Sequence, residues 1–269
     1  MRVGFFQFYP RFGDWEHNLS LVLKGLEQTS ADLIVLPELA FSGYYFQSRE
    51  EASRLAQDPT RSPIVEALIQ LCRQRDFYLV TGFAEKAGER VFNSALLLGP
   101  EGWMHTYRKI HLFNEEKEWF DPGDRPLSVQ TVRGVRIGMM VCFDWVFPEV
   151  ARILALQGAQ VLCHPSNLVL AYCQQAMLTR CLENGVFAVT ANRYGEDRRP
   201  QGTLNFTGQS QIVGPKGELI FRAPPEGDCL QVVQIDPDRA LDKQITARNH
   251  LLTDRRPDFY RPLCGSDRN

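Results

Sequence analysis

The sequence predicts an α/β protein with a mixed sheet, and three observations carry that expectation. Nearly pure apolar runs of strand length, such as residues 32–36 (DLIVL), suit strands buried on both faces. Between such runs lie segments with apolar residues at helical spacing, so strands and helices alternate. Two stretches end in glycine-proline turns, Gly99-Pro100-Glu101-Gly102 and Gly214-Pro215-Lys216-Gly217, and read as hairpins.

In order, residues 3–8 form a strand. Asp14 caps a helix to about residue 28, with Leu19, Val22, Leu23 and Leu26 on one face. Residues 32–36 form a strand that ends in Pro37-Glu38. LAFSGYYF follows as a loop turning at Gly43. Ser62 or Pro63 opens a helix to about residue 75, and residues 77–83 form the next strand. The first hairpin pairs residues 91–98 with 103–107. Residues 134–158 (GVRIGMMVCFDWVFPEVARILALQG) are the centre of the chain: a strand, a tight turn at Cys142, then a helix with Pro148 in its first turn and Gly158 as its stop. Residues 159–163 form a strand leading into His164-Pro165-Ser166-Asn167. A helix spans residues 172–184 and stops at Gly185. Residues 186–191 form a strand, and residues 192–202 a polar loop. The second hairpin pairs residues 209–213 with 218–221, and residues 230–235 are the last strand. From Asp236 the tail is basic and irregular.

Composition narrows the classes. A chain of 269 residues, 44% hydrophobic, can bury a sizeable core as one domain, and no linker, repeat or low-complexity segment divides it. The net charge of −2 gives no footprint for nucleic acid. No run of about 18 apolar residues marks a membrane span. Residues 1–10 (MRVGFFQFYP) are too short and aromatic for a signal peptide and read as a first strand. Seven irregularly spaced cysteines, with no C-x-x-C and no zinc-type array, predict reduced thiols, a cytoplasmic protein and no zinc-type metal site.

Three residues far apart in sequence share one kind of address, a strand end or the loop after it: Glu38, Lys109 and Cys142. In open α/β sheets such ends line the binding crevice. Each alone has an ordinary reading, as a solvated turn carboxylate, a surface cation or a small buried apolar residue. Together they form a chemical set. A free thiol of pKa about 8.5 is only a few per cent ionised at neutral pH. A partly buried carboxylate can take its proton. An ammonium can hold the oxyanion formed when sulfur attacks a carbonyl or nitrile carbon, with the Phe143 backbone N–H as second donor. The turn at Cys142 also lies near a helix start, where the dipole favours thiolate. His105, His111 and His164 read as structural.

LPELAFSGY around Glu38, YRKIHLF around Lys109 and MVCFDWVFPE around Cys142 resemble, in order and spacing, the three signature motifs of the nitrilase superfamily of carbon–nitrogen hydrolases. HPSN, RCLENGVFAVTANRYG and FTGQSQIVGPKGE are similar to its later blocks, so the likeness runs from Val3 to about Ile235. The resemblance implies a four-layer α-β-β-α sandwich, a Glu38-Lys109-Cys142 triad, no cofactor, and at least a homodimer joined through surface helices. It implies a second glutamate after the lysine, assigned by offset to Glu116 with Glu115 and Glu118 as rivals. That residue holds the substrate amide or the attacking water.

The expected activity is thiol amidohydrolysis of a small amide, with a nitrilase, an N-carbamoyl-amine hydrolase and a non-catalytic interaction module as alternatives. Phe143-Asp144 follows the cysteine, where true nitrilases usually carry Trp-Glu, which favours an amide. N-carbamoyl-D-amino-acid hydrolases place arginines shortly after the cysteine, and here Trp145 and Val146 stand there. That favours an uncharged acyl group, unless Arg180 or Arg193 supplies a cation. Tyr44, Trp145 and Asn167 are candidate substrate-binding residues, with Phe41 and Tyr45 as further wall candidates. In the tail, Arg248, Arg255, Arg256 and Arg261, with Phe259 and Tyr260, are candidates to reach a partner subunit.

Overall fold

The computed structural model describes residues 1–263 and Gly265; Cys264 and residues 266–269 lie outside the described residues. The first half of the chain runs β1 (Arg2–Gln7), α1 (Trp15–Leu26), β2 (Leu33–Val35), α2 (Arg49–Leu55), α3 (Pro63–Arg75), β3 (Tyr78–Ala87), β4 (Arg90–Gly99), β5 (Gly102–Arg108) and the single turn α4 (Glu116–Trp119). The second runs β6 (Val129–Val132), β7 (Val135–Met139), a 3-10 turn at Cys142–Val146, α5 (Pro148–Leu156), β8 (Val161–Ser166), α6 (Cys173–Asn184), β9 (Phe187–Asn192), β10 (Tyr194–Arg199), β11 (Gly202–Thr207), β12 (Gln211–Val213), β13 (Leu219–Arg222) and β14 (Cys229–Gln234).

The strands divide into two six-stranded mixed sheets, ordered β14-β1-β2-β3-β4-β5 and β13-β12-β9-β8-β7-β6. Each is built around three parallel strands, β1-β2-β3 and β7-β8-β9, and grows outward through antiparallel pairs. Alternation along the strands explains the layering. Val3, Phe5, Leu33, Val35, Tyr78, Val80, Ala95 and Leu97 join one core with Ile137, Val161, Cys163, Phe187 and Val189 of the other sheet. Their neighbours Phe6, Ile34, Leu79, Leu96 and Leu98 face the opposite way and pack with Val22, Leu26, Ile64 and Leu68 of α1 and α3. Val150, Leu154, Met177 and Cys181 carry α5 and α6 onto the second sheet. Helix, sheet, sheet and helix therefore stack as four layers, as the resemblance implied.

Local signals placed most boundaries. The Asp14 side chain accepts from the His17 N–H at 3.1 Å, and the Ser62 hydroxyl accepts from the Val65 N–H at 3.4 Å with Pro63 next in line. Gly185 ends α6 at φ 59°. Three elements depart from expectation. The polar loop expected at residues 192–202 is instead largely the strand β10, which pairs with β11 in an antiparallel hairpin. The charged run at Arg49–Leu55 is helical, its Ser48 hydroxyl accepting from the Glu51 N–H at 3.2 Å. The edge strand β6 pairs with β7. The tail from Asp236 consists of short 3-10 turns and one small ladder, with Phe259 and Leu263 exposed. No helix among the described residues is long and apolar enough to cross a membrane.

Candidate active site

Glu38, Lys109 and Cys142 meet where strand ends of the two sheets come together. Pro37 and Glu38 leave β2, and the chain turns at once, with Leu39 at φ 47°. The turn is possible because β3 carries Gly82 alongside it. A Cβ at residue 82 would collide with the Glu38 Cα and the Leu39 nitrogen. Lys109 follows β5, its N–H held by the Asn93 carbonyl of β4 at 2.8 Å. Gly123 does for Lys109 what Gly82 does for Glu38. It donates to the Lys109 carbonyl at 2.9 Å, and a Cβ there would strike the Arg108 backbone.

Cys142 sits at φ 42°, a left-handed conformation that a non-glycine residue adopts only when its surroundings impose it. The imposing group is Asp144. One of its oxygens accepts from the Val141 N–H at 2.8 Å and the Tyr107 hydroxyl at 2.7 Å, and the other pairs with His111 at 2.8 Å. His164 completes the hold, its Nε2 lying 3.0 Å from the Cys142 carbonyl and its Nδ1 3.1 Å from the Thr190 hydroxyl. Burial pushes His164 down to about 4, so it stays neutral. His105, His111 and His164 are all satisfied by neighbours, as expected.

The charged centre is buried. Glu38 and Lys109 are 0% and 1% exposed. Lys109 Nζ lies 2.7 Å from Glu38 Oε1 and 2.8 Å from both oxygens of Glu116. Asn93 Nδ2 donates to the same Glu38 oxygen at 2.7 Å. Glu38 Oε2 is buried with no partner. Glu116 is the buried member of its acidic cluster, while Glu115 and Glu118 are exposed. It accepts from the Tyr44 hydroxyl at 2.6 Å and from the Phe113 N–H at 3.2 Å. Asn167 spans the centre, its Nδ2 donating to the Glu38 carbonyl at 2.9 Å and its own carbonyl 3.7 Å from the Cys142 sulfur.

Burial alone would lower the Lys109 pKa, but Glu116 and Glu38 outweigh it and hold the ammonium above the ordinary lysine value. Burial raises the Glu116 carboxyl, and the Glu38 charge adds to the rise against the pull of Lys109. Burial and then the Glu38 charge also raise the Cys142 thiol well above its usual value, with Lys109 opposing. This corrects the expectation of a dipole-stabilised thiolate. The 3-10 turn separates Cys142 from the α-helix, which begins only at Pro148, so the dipole does not offset desolvation. The resting nucleophile is a neutral thiol.

Phe143 is in the first turn of that 3-10 segment, where an N–H lacks an acceptor within the helix. Beside Cys142 opens a cleft lined by Phe113, Phe143, Trp145, Asn167, Leu168 and Val169. A second, across Phe113, is lined by Tyr44, Tyr45, Glu116, Trp119 and Leu204. Tyr44, Tyr45, Trp145 and Asn167 therefore border the centre. Phe41 does not; it is buried in the core under α1 and α3. The two arginines weighed as substrate grips are engaged elsewhere. Arg193 is fully buried against Asp197, at 3.1 and 3.0 Å. Arg180 reaches the Trp145 carbonyl at 3.2 Å and Glu183 at 2.9 Å. Sequence reasoning missed Asn93, Gly82 and the brace by Asp144. The signal for the first was a polar Asn-Ser pair inside the apolar run of β4.

Known proteins resemble this chain along nearly its whole length. The family model for carbon-nitrogen hydrolases matches residues 2–242. A nitrilase of Pyrococcus abyssi is 41% identical over 263 residues, covering 97% of this chain and 99% of that protein. An (R)-stereoselective amidase of a Pseudomonas species is 36% identical, covering 95% and 92%. Among solved structures, a carbon–nitrogen hydrolase of Helicobacter pylori superposes with a TM-score of 0.86 at 25% identity, covering 99% of each chain. A cysteine-to-alanine mutant of the Nesterenkonia AN1 amidase, from the nitrilase superfamily, superposes at 0.78 with 28% identity, covering 98% and 97%. In another structure of that amidase acrylamide is added at the active-site cysteine. The chain belongs to the carbon–nitrogen hydrolase family, on the amidase-like side of the nitrilase superfamily.

Proposed function

We propose that this hydrolase cleaves the C–N bond of a small, uncharged amide through a thioester on Cys142. The observation that carries the reading is the divided state of Glu38. One oxygen is held by Lys109 and Asn93; the other is buried without a partner and free to take a proton. Because burial keeps the thiol neutral, deprotonation must accompany attack, and that requires a positioned base rather than a preformed thiolate. Glu38 takes the Cys142 proton as sulfur bonds to the amide carbon. Lys109 and the Phe143 N–H hold the developing oxyanion. The tetrahedral adduct collapses to a thioester, and ammonia leaves with the proton from Glu38. Water, deprotonated by Glu38, then attacks the thioester, and the acid leaves as the thiol is restored. Glu116, fixed by Tyr44 and Lys109, orients the substrate amide or the attacking water.

The lining of the Cys142 cleft supports an uncharged acyl group. It carries no charged side chain apart from the reacting centre, and both nearby arginines are committed. A substrate carboxylate there would be desolvated without a partner, which is costly. The test compares kcat/KM on a short aliphatic amide, its matching nitrile and an N-carbamoyl amino acid. The amide is expected to lead by tenfold or more, about 1.4 kcal/mol. A tenfold preference for either of the others contradicts the reading.

We further propose that a second copy covers the outer face of α5 and α6. Ile153 and Leu156 of α5, Leu182 of α6 and Tyr172 at its cap are exposed, and Leu263 of the tail lines a groove with Arg152 of α5 and Glu183 of α6. Apolar residues gathered on one face mark association surfaces. Light scattering at micromolar concentration should give the mass of at least two chains, and a monomeric mass contradicts the assembly.

A further inference from the structure

We propose that the buried Arg193–Asp197 pair is a positioning device that holds Tyr44 on Glu116. The proposal rests on Glu116 acting in the hydrolysis described above.

The pair lies outside the reacting centre, at the start of the β10–β11 hairpin, yet it is as deeply buried as Lys109. Arg193 is 0% and Asp197 4% exposed. Asp197 Oδ2 accepts from Arg193 Nη1 at 3.1 Å, and Oδ1 from Nη2 at 3.0 Å. Oδ2 also accepts the backbone N–H groups of Tyr44 and Tyr45, each at 3.2 Å. Those two N–H groups belong to the loop after Glu38, which runs outside both sheets. The carboxylate therefore replaces a strand partner for that loop. Arg193 also acts on Tyr44 through Phe206 of β11. Its guanidinium lies 4.0 Å over the Phe206 ring, and Phe206 meets the Tyr44 ring edge-on at 5.8 Å. Backbone and ring of Tyr44 are thus both fixed from the hairpin. The result is the 2.6 Å bond from the Tyr44 hydroxyl to Glu116 Oε1.

A buried ion pair is weak as a source of stability, because desolvation offsets most of its attraction. It is strong as a fixed point, because a two-bonded guanidinium–carboxylate fork tolerates little misplacement. The titratable groups facing Glu116 are Lys109, Glu38, Tyr44 and the Cys142 thiol, which is neutral and so adds no charge. The Tyr44 hydrogen bond favours ionised Glu116, and burial together with the Glu116 and Glu38 charges keeps Tyr44 protonated as the donor. Displacing Tyr44 should therefore let Glu116 keep its proton to higher pH.

The experiment measures kcat/KM against pH for wild type, Asp197→Asn, Tyr44→Phe and the double variant, on the amide that wild type hydrolyses best. Each single variant is expected to lose about tenfold to a hundredfold, the range for misplacement without loss of a reacting group. The acid limb should move to higher pH in both, and the double variant should fall no further and move no further than Tyr44→Phe. A wild-type limb in Asp197→Asn, or losses that multiply in the double variant, overturns the proposal and leaves the reaction assignment standing. A wild type that hydrolyses no C–N substrate overturns both. If Asp197→Asn does not fold, Arg193→Lys replaces it, since it keeps the charge and loosens only the fork. The same limb should then move the same way by less, and an unmoved limb overturns the proposal.

Discussion

Arg108 and Lys109 are neighbours on one extended segment, and each anchors a buried ion cluster on its own side of the sheet. Arg108 is saturated. Its Nε and Nη2 bind Glu85, at 2.5 to 3.2 Å, and its Nη1 binds Asp124 at 2.8 Å. Ser94, its partner across the β4–β5 ladder, donates to Glu85 at 2.6 Å, and the Phe92 ring lies 3.9 Å beneath the guanidinium. Both Glu85 oxygens are satisfied. One residue on, the Lys109 cluster is left open. Glu38 Oε2, Asn93 Oδ1 and Asn167 Oδ1 are buried with no partner. Asn93 and Ser94 repeat the division on β4, one turned to each cluster. The same strands supply the same kinds of group to both faces. The difference is that the Arg108 cluster closes its hydrogen bonds, whereas the Lys109 cluster keeps buried acceptors free, as the proposed hydrolysis requires. An unsatisfied buried polar atom costs stability, so such atoms gathered in one place point to function.

Exchanging the two cations sharpens that comparison. Lys109→Arg should cost about 10²–10³ in kcat, because a planar fork cannot occupy the place of a compact ammonium between two carboxylates. Overpacking that buried place should also cost about 1–3 kcal/mol of unfolding free energy, so the distinguishing loss is in kcat. Arg108→Lys should lose stability and keep its rate. It gives up the two-bonded grip on Glu85 and the bond to Asp124, at about 1–3 kcal/mol in urea unfolding, with kcat/KM of the folded enzyme held within about threefold. If Arg108→Lys abolished turnover without loss of stability, the two clusters would not be separable as described.

The same contrast explains what the sequence could be read for. Glu38, Lys109 and Cys142 were legible because each stands at a strand end within a recognisable run. Asp14, Ser62, Pro148 and Gly185 were legible because caps and stops act over three or four residues. The β10–β11 hairpin was not. Its first strand, YGEDRR, is almost wholly polar, the second offers only Leu204 and Phe206 as an alternating pair, and its glycines suggested a loop. Arg49–Leu55 is a short, mostly charged helix whose apolar side is a single buried alanine. Asn93, Asp144 and the Arg193–Asp197 pair were beyond sequence reasoning for another reason. Their roles come from pairings of Asp144 with Tyr107, Asn93 with Glu38 and Asp197 with the Tyr44 N–H, between 37 and 153 positions apart, which only the closed fold creates. The thiolate expectation failed because it weighed the helix dipole and not burial.

The central claim is that Cys142 carries the acyl group, with Glu38 as its base. The direct measurement is acid quenching during steady turnover of a good amide, followed by intact-mass analysis and peptide mapping. One acyl increment per chain is expected, on the peptide that contains Cys142. Cys142→Ala, folded as wild type, should show none and lose activity by about 10⁴-fold or more. An increment on a different cysteine, or wild-type ammonia release from folded Cys142→Ala, would contradict the account.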